Sequence, residues 1–331
     1  MKLAVFDTHS YDQQALSAAN VRYGHEIVFF EPRLHAATAA LAAGFTAVCP
    51  FVNCRLDAAT LQQLAQGGTR LVALRAAGYN GIDLAAAQAQ GITVVRVPAY
   101  SPHAVAEHAF ALLLTLVRKT HRAYNRVREA DFSLDGLVGF DLHGKTLGIV
   151  GTGRIGRVAA RIASGFGCRV LLCDPQTDPA FAQQLDASYC GLPQLLAQSD
   201  IVSLHLPLTP DSHHLINAES LARCKPGVIL VNTSRGGLID TPALIAALKR
   251  GQLGGVALDV YELEEGVFFQ DWSGTGLADD QLARLTTFPN VLISSHQGFL
   301  TREALANIAD TTLENVRAYA AGEVLSNAIS C

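Results

Sequence analysis

The chain has 331 residues, half of them apolar, and a formal net charge of -4. This length supports two domains with separate cores. The composition excludes a disordered chain, and the charge balance, with no acidic or basic tail, argues against a polyanion-binding surface. From the N-terminus, short apolar runs alternate with alanine-rich helical patterns. Residues 3–6, 27–30, 47–51, 71–74 and 93–97 read as strands, and 57–66 and 83–90 as the clearest helices. The first hundred residues therefore predict β/α units around a parallel sheet without a glycine fingerprint.

Ser101-Pro102 is an N-cap followed by proline at the first helical position, and it opens a long alanine- and leucine-rich helix to about residue 118. Residues 118–128 carry five basic side chains. In a chain that is not basic elsewhere they read as a solvated helix face or subunit contact, with no nucleic acid expected. The strongest signal follows. A strand at 147–150 feeds Gly151, Gly153 and Gly156, a helical pattern continues through Ile155, Val158, Ala159 and Ile162, and a second strand at 169–173 ends at Asp174. In that context Gly151 permits a tight turn, Gly153 admits a pyrophosphate, and Gly156 lets the helix pack closely, with helix-end N–H groups facing the phosphates. Asp174 is placed to accept from a ribose 2′-hydroxyl and to repel a 2′-phosphate, so NAD is expected over NADP. Strands at 201–204, 228–232, 255–259 and 291–294 make a second doubly wound sheet, and a helical segment from Thr301 ends the chain.

Seven cysteines, at 49, 54, 168, 173, 190, 224 and 331, form no C-x-x-C and no even framework, which points to a reducing cytoplasm. Asp7 interrupts any signal-peptide core, and the apolar run 109–117 is about half the length of a membrane span, so a soluble, intracellular protein is expected.

Ligands of doubly wound sheets bind beyond the carboxyl ends of the strands. Three groups stand there. Arg235, in NTSRGG, offers a planar fork for a carboxylate. His296, in SSHQGF, is suited to proton exchange, since histidine ordinarily titrates at about pH 6.5. Glu262, Glu264 and Glu265 compete to bond its other nitrogen, and spacing does not choose among them. His103, Glu107 and His108 match no metalloprotease order, so no metal is expected there. His213 and His214 read as surface residues.

GTGRIG with Asp174, then LHLPLTPDSHHLI, VNTSRGGLID, LDVYELEE and SSHQGF resemble, in order and spacing, the NAD-dependent D-isomer-specific 2-hydroxyacid dehydrogenases. LRAAGYNGIDL and VPAYSPHAVAEHAFALLL extend the resemblance to nearly the whole chain, in the manner of the branch that reduces pyruvate to D-lactate. The resemblance implies catalysis by Arg235, Glu264 and His296. It implies an α/β fold of two doubly wound parallel-sheet domains, a Rossmann NAD-binding domain at 101–299 inserted into a flavodoxin-like substrate domain at 1–100 plus 300–331. It further assigns Ala77 and Gly78 to the substrate carboxylate, Tyr100, Phe51 and Phe299 to the substrate pocket, Arg154 and Ile155 to the pyrophosphate, Pro207 and Ser212 to the adenosine side, and Thr233 and Asp259 to the nicotinamide. Ser212 departs from the family's common asparagine. A homodimer or homotetramer is expected. The alternatives are a relative acting on a bulkier 2-oxo acid and an NADH-sensing corepressor-like protein.

Overall fold

The computed structural model describes residues 1–329; Ser330 and Cys331, the last of the seven cysteines, lie outside the described residues. In chain order the strands are β1 (Lys2–Val5), β2 (Glu26–Phe29), β3 (Ala47–Cys49), β4 (Leu71–Ala73), β5 (Thr93–Val95), β6 (Thr146–Val150), β7 (Arg169–Cys173), β8 (Ser188–Tyr189), β9 (Ile201–Leu204), β10 (Val228–Asn232), β11 (Leu253–Leu258) and β12 (Val291–Ile293). The helices are α1 (Ser10–Asn20), α2 (Ala58–Gln66), α3 (Leu84–Ala89), α4 (Pro102–Arg118), α5 (Thr120–Arg128), α6 (Arg154–Gly165), α7 (Pro179–Gln184), α8 (Leu192–Gln198), α9 (Ala218–Ala222), α10 (Thr241–Lys249), α11 (Asp280–Thr286) and α12 (Arg302–Ala320). The chain divides into two compact units, Met1–Ser101 with Phe299–Cys331, and Pro102–Gly298.

The first unit is a five-stranded parallel sheet in the order β2-β1-β3-β4-β5. Its strands are covered on both faces, which explains why they read as continuous apolar runs without alternation. On one face Leu3, Val5, Ala47 and Leu71 meet Leu16 of α1 and Leu313 and Val316 of α12. On the other, Ala4, Phe6, Val48 and Val72 meet Leu61 and Leu64 of α2. Aspartates start the middle helices, Asp57 accepting from Thr60 N and Asp83 from Ala86 N, and Thr301 does the same for α12 through Ala304 N. One charge is fully enclosed. Arg75 is 2 % exposed and donates to the carbonyls of Phe6 (2.9 Å), Cys49 (3.1 Å) and Asp7 (2.6 Å), with its Nε 3.3 Å from Asp12. It thereby closes the carboxyl ends of β1 and β3.

The second unit is a seven-stranded parallel sheet, β12-β11-β10-β9-β6-β7-β8. Read from β8, this is the 3-2-1-4-5-6 order of dinucleotide-binding sheets with one strand added. Helices α4 and α6 cover one face through Leu113, Leu116, Val158 and Ala159, while Leu195, Leu221, Leu244 and Leu285 cover the other. β7, β9 and β10 have the expected bounds, and the other expected strands differ from theirs by one or two residues at an end. The two-residue β8 and the helix α1 escape the apolar pattern, because α1 buries only Asp12, Leu16 and Ala19.

Candidate active site

The glycine turn shows a steric reason for two of its glycines and open space at the third. Gly151 has φ +92°, and a Cβ there would lie 2.4 Å from the His205 carbonyl oxygen. At Gly156 a Cβ would meet the Gly151 carbonyl oxygen at 1.9 Å, so the close packing of α6 on the turn requires hydrogen. Gly153 has open space where its Cβ would stand. It is the N-cap of α6 without a capping side chain, leaving the helix-start N–H groups to face a ligand.

Asp174, at the end of β7, accepts from Thr152 N at 2.6 Å through one oxygen and from Gln176 N at 2.8 Å through the other. Each oxygen retains a lone pair for a ribose hydroxyl. Arg157 donates to the Thr152 carbonyl (3.0 Å) and pairs with Asp178 (2.7 Å), bracing the turn from α6, a function sequence reading does not single out. Arg154 begins α6, exposed, with Ile155 half-buried behind it. Pro207 is exposed, but Ser212 is buried and its hydroxyl donates to the Pro207 carbonyl at 2.8 Å and accepts from Thr209 N at 2.8 Å. Its hydroxyl shapes that loop from within. Thr233 is buried with an Oγ1 that has no partner among the described residues, a polar atom suited to a bound amide. These features fit a dinucleotide.

Beyond the ends of the adjacent strands β10, β11 and β12 lie Arg235, Glu264 and His296 respectively. Arg235 is half-buried, held by a Nη1 bond to the Ser234 carbonyl at 2.7 Å, and no carboxylate pairs with it among the described residues. The next residue is glycine because a Cβ on Gly236 would collide with Tyr261 C at 2.0 Å. His296 Nδ1 lies 2.8 Å from Glu264 Oε1, and Glu264 Oε2 accepts from Tyr261 N at 3.0 Å. The three-way choice is thereby made by geometry. Glu262 turns away to His214 Nε2 (2.5 Å) and Thr241 N (3.2 Å), and Glu265 is exposed. Burial pushes the Glu262 carboxyl up, but the bonds from His214 and Thr241 outweigh it and hold the group below the usual range.

One expectation needs correction. His214 is a partner of Glu262 and only part-exposed, and His213, which is exposed, stacks on it at 3.9 Å between ring centroids. Ligand atoms of His213, His214 and Glu262 all lie within 4.8 Å of one another, a grouping invisible in sequence because Glu262 is distant from the histidines. His108, for which sequence reading weighs only a metal role, bonds Ser294 (2.9 Å) and Asp259 (3.2 Å). Asp259 itself is buried, with both oxygens accepting bonds from the loop at 294–298.

Within the first unit, Gly78 and Ala77 lie on the loop after Arg75, where Arg96 donates to the Ala77 carbonyl at 3.0 Å. Phe51 and Phe299 are 6.1 Å apart between centroids, and Tyr11 joins Phe299 at 6.3 Å. The Tyr100 carbonyl accepts from Asn307 at 2.7 Å. Tyr11 carries no motif and is found only through the fold.

His205, beside the glycine turn, is buried with Nε2 2.8 Å from Ser203 Oγ, and burial pulls its pKa down to about 4. An unfolded histidine binds its proton at about pH 6.5, so the stability tied to neutral His205 is complete above that pH and is lost as pH falls toward about 4. The full loss is roughly 3 kcal/mol. His205→Gln should flatten the acid branch of urea midpoint against pH; an unchanged slope between these limits would contradict the assignment.

The NAD-binding-domain model of the D-isomer specific 2-hydroxyacid dehydrogenases matches residues 110–298. A 2-hydroxyacid dehydrogenase homolog of Haemophilus influenzae is 48 % identical over 99 % of both chains, and D-lactate dehydrogenase of Escherichia coli is 48 % identical over 99 % of both. The apo structure of the Escherichia coli enzyme superposes with TM-score 0.92 at 46 % identity, covering 99 % of this chain and 100 % of that one. The pyruvate reductase of Chlamydomonas reinhardtii superposes with TM-score 0.94 at 44 % identity over 99 % and 98 %. With its glycine turn, the strand order of both sheets and these full-length matches, the chain belongs to the NAD-dependent D-isomer specific 2-hydroxyacid dehydrogenases.

Proposed function

We propose that the protein reduces pyruvate to D-lactate with NADH, reversibly. The observation that carries this reading is the His296–Glu264 pair, 2.8 Å apart, at a strand end next but one to the strand that presents an unpaired Arg235. When bound, the reduced nicotinamide supplies the hydride. With Nδ1 engaged by Glu264, His296 turns Nε2 to the substrate and gives its proton to the carbonyl oxygen. Arg235 holds the 2-oxo acid's carboxylate through its free N–H groups and stabilises charge developing on that oxygen. Glu264 fixes the imidazole orientation by engaging Nδ1. In lactate oxidation the same Nε2 takes the hydroxyl proton.

For the cofactor, we assign Gly151, Gly153, Gly156, Arg154 and Ile155 to the pyrophosphate, Asp174 to the ribose and Thr233 to the carboxamide. Pro207 borders the adenosine side, while Ser212 and Asp259 act by shaping the loops that carry neighbouring contacts. In the first unit, Ala77 and Gly78 are assigned to the substrate carboxylate, and Tyr100, Phe51 and Phe299 to its side chain. The crowding of Phe51, Phe299 and Tyr11 favours a methyl group over a larger one. The proposed domain roles follow, with Pro102–Gly298 binding NAD and the other unit the substrate.

The six described cysteines are all free, which supports a cytoplasmic setting, and no helix of the described residues is long and apolar enough to cross a membrane. A homodimer or homotetramer is supported by an apolar groove of about 560 Å³ between α4 and α6, lined by Phe110, Leu114, Ile162 and Phe166, and by exposed Phe132, Leu134 and Val138. Steady-state NADH oxidation with pyruvate, phenylpyruvate and 2-oxoisocaproate tests the substrate. Pyruvate should have the highest kcat/KM, and a higher value for either bulky acid would move the assignment to a relative with a wider pocket.

A further inference from the structure

His296 stands on a strained loop. Ser295 and His296 both have φ +55°, a left-handed conformation that costs of order 1–3 kcal/mol for a residue with a side chain unless its surroundings impose it. Asp259 imposes it. The Asp259 carbonyl accepts from His296 N at 2.5 Å, Oδ1 accepts from Gln297 N and Ser294 Oγ, both at 2.7 Å, and Oδ2 accepts from Gly298 N at 2.8 Å. The loop can approach so closely only because residue 298 is glycine, whose Cβ would fall 2.9 Å from Asp259 Oδ2. Behind this anchor stands His108 of α4, with Nε2 2.9 Å from Ser294 Oγ and 3.2 Å from Asp259 Oδ1.

Resting on the reading of His296 as proton donor, we propose that His108 is a positioning residue: its bonds to Ser294 and Asp259 lock the loop so that His296 faces Glu264. The bonds from His108 and Ser294 also outweigh the upward push of burial on the Asp259 carboxyl, keeping it ionised as the loop's acceptor. Without His108, Ser294 and Asp259 lose a shared partner and the imidazole is aligned only part of the time. Misplacement by about 1 Å can lower turnover by about 10²-fold.

The test measures His108→Leu, His108→Gln and His296→Gln side by side. His108→Leu should lower kcat for pyruvate by about tenfold and leave the NADH Kd within about twofold. His108→Gln, whose amide reaches the same acceptors, should recover most of the kcat. Wild-type kcat in His108→Leu, with His296→Gln inactive, would overturn the proposal and leave the function standing. Equal losses in His108→Leu and His108→Gln with a common fall in Tm would also overturn it, reducing His108 to a packing role. Normal turnover in His296→Gln would instead remove the reading on which the proposal rests.

Discussion

Replacing His296 with glutamine is expected to lower kcat for pyruvate reduction by about 10³-fold while leaving the NADH Kd nearly unchanged. Glutamine fills a similar volume and still donates a hydrogen bond, so the substrate carbonyl is still polarised. It has no proton to release. General acid catalysis is worth about 10²–10⁴-fold, or roughly 3–5 kcal/mol of barrier. The proposed cofactor contacts lie at other strand ends, with the glycine turn after β6 and Asp174 after β7, so NADH fluorescence titration should report normal binding. Turnover within about tenfold of wild type would remove His296 from the acid role.

Arg235→Lys is expected to lower kcat/KM for pyruvate by about 10²-fold through both parameters. The native guanidinium is oriented by its bond to the Ser234 carbonyl, and its other N–H groups form a planar fork for a carboxylate. An ammonium keeps the charge but not the two parallel bonds, each worth about 1.5–3 kcal/mol to a charged partner. The rise in KM reports the substrate carboxylate, and the fall in kcat reports misalignment of the carbonyl with His296. Unaltered steady-state kinetics would show that another cation holds the substrate.

Much of the fold is legible from apolar runs, because strands of parallel sheets are buried on both faces and helices between them follow a clear period. The glycine turn is readable residue by residue, since Gly151 and Gly156 answer steric demands within the turn and Gly153 leaves open the space before the helix start. Arg235 and His296 are detectable as polar residues just after strands. What sequence does not resolve is side-chain direction. Glu262 and Glu264 are two residues apart, yet one bonds His214 and the other His296, a difference set by how the loop after β11 turns at Tyr261. The same holds for Arg75, Arg157 and His108. Each bonds at least one partner twenty or more residues away in the chain, and such bonds leave no periodic mark. Left-handed backbone at Ser295 and His296 is equally hidden, because neither residue type announces it.

Stereospecific reduction of pyruvate by NADH, with His296 as proton donor, can be observed in the product. The direct measurement is an incubation with pyruvate and NADH in which NADH loss is followed optically and the lactate formed is resolved by enantiomer. One D-lactate should form per NADH consumed, at a rate reduced by about 10³-fold in His296→Gln. Formation of L-lactate, or no NADH loss with pyruvate by a protein that binds NADH, would contradict it.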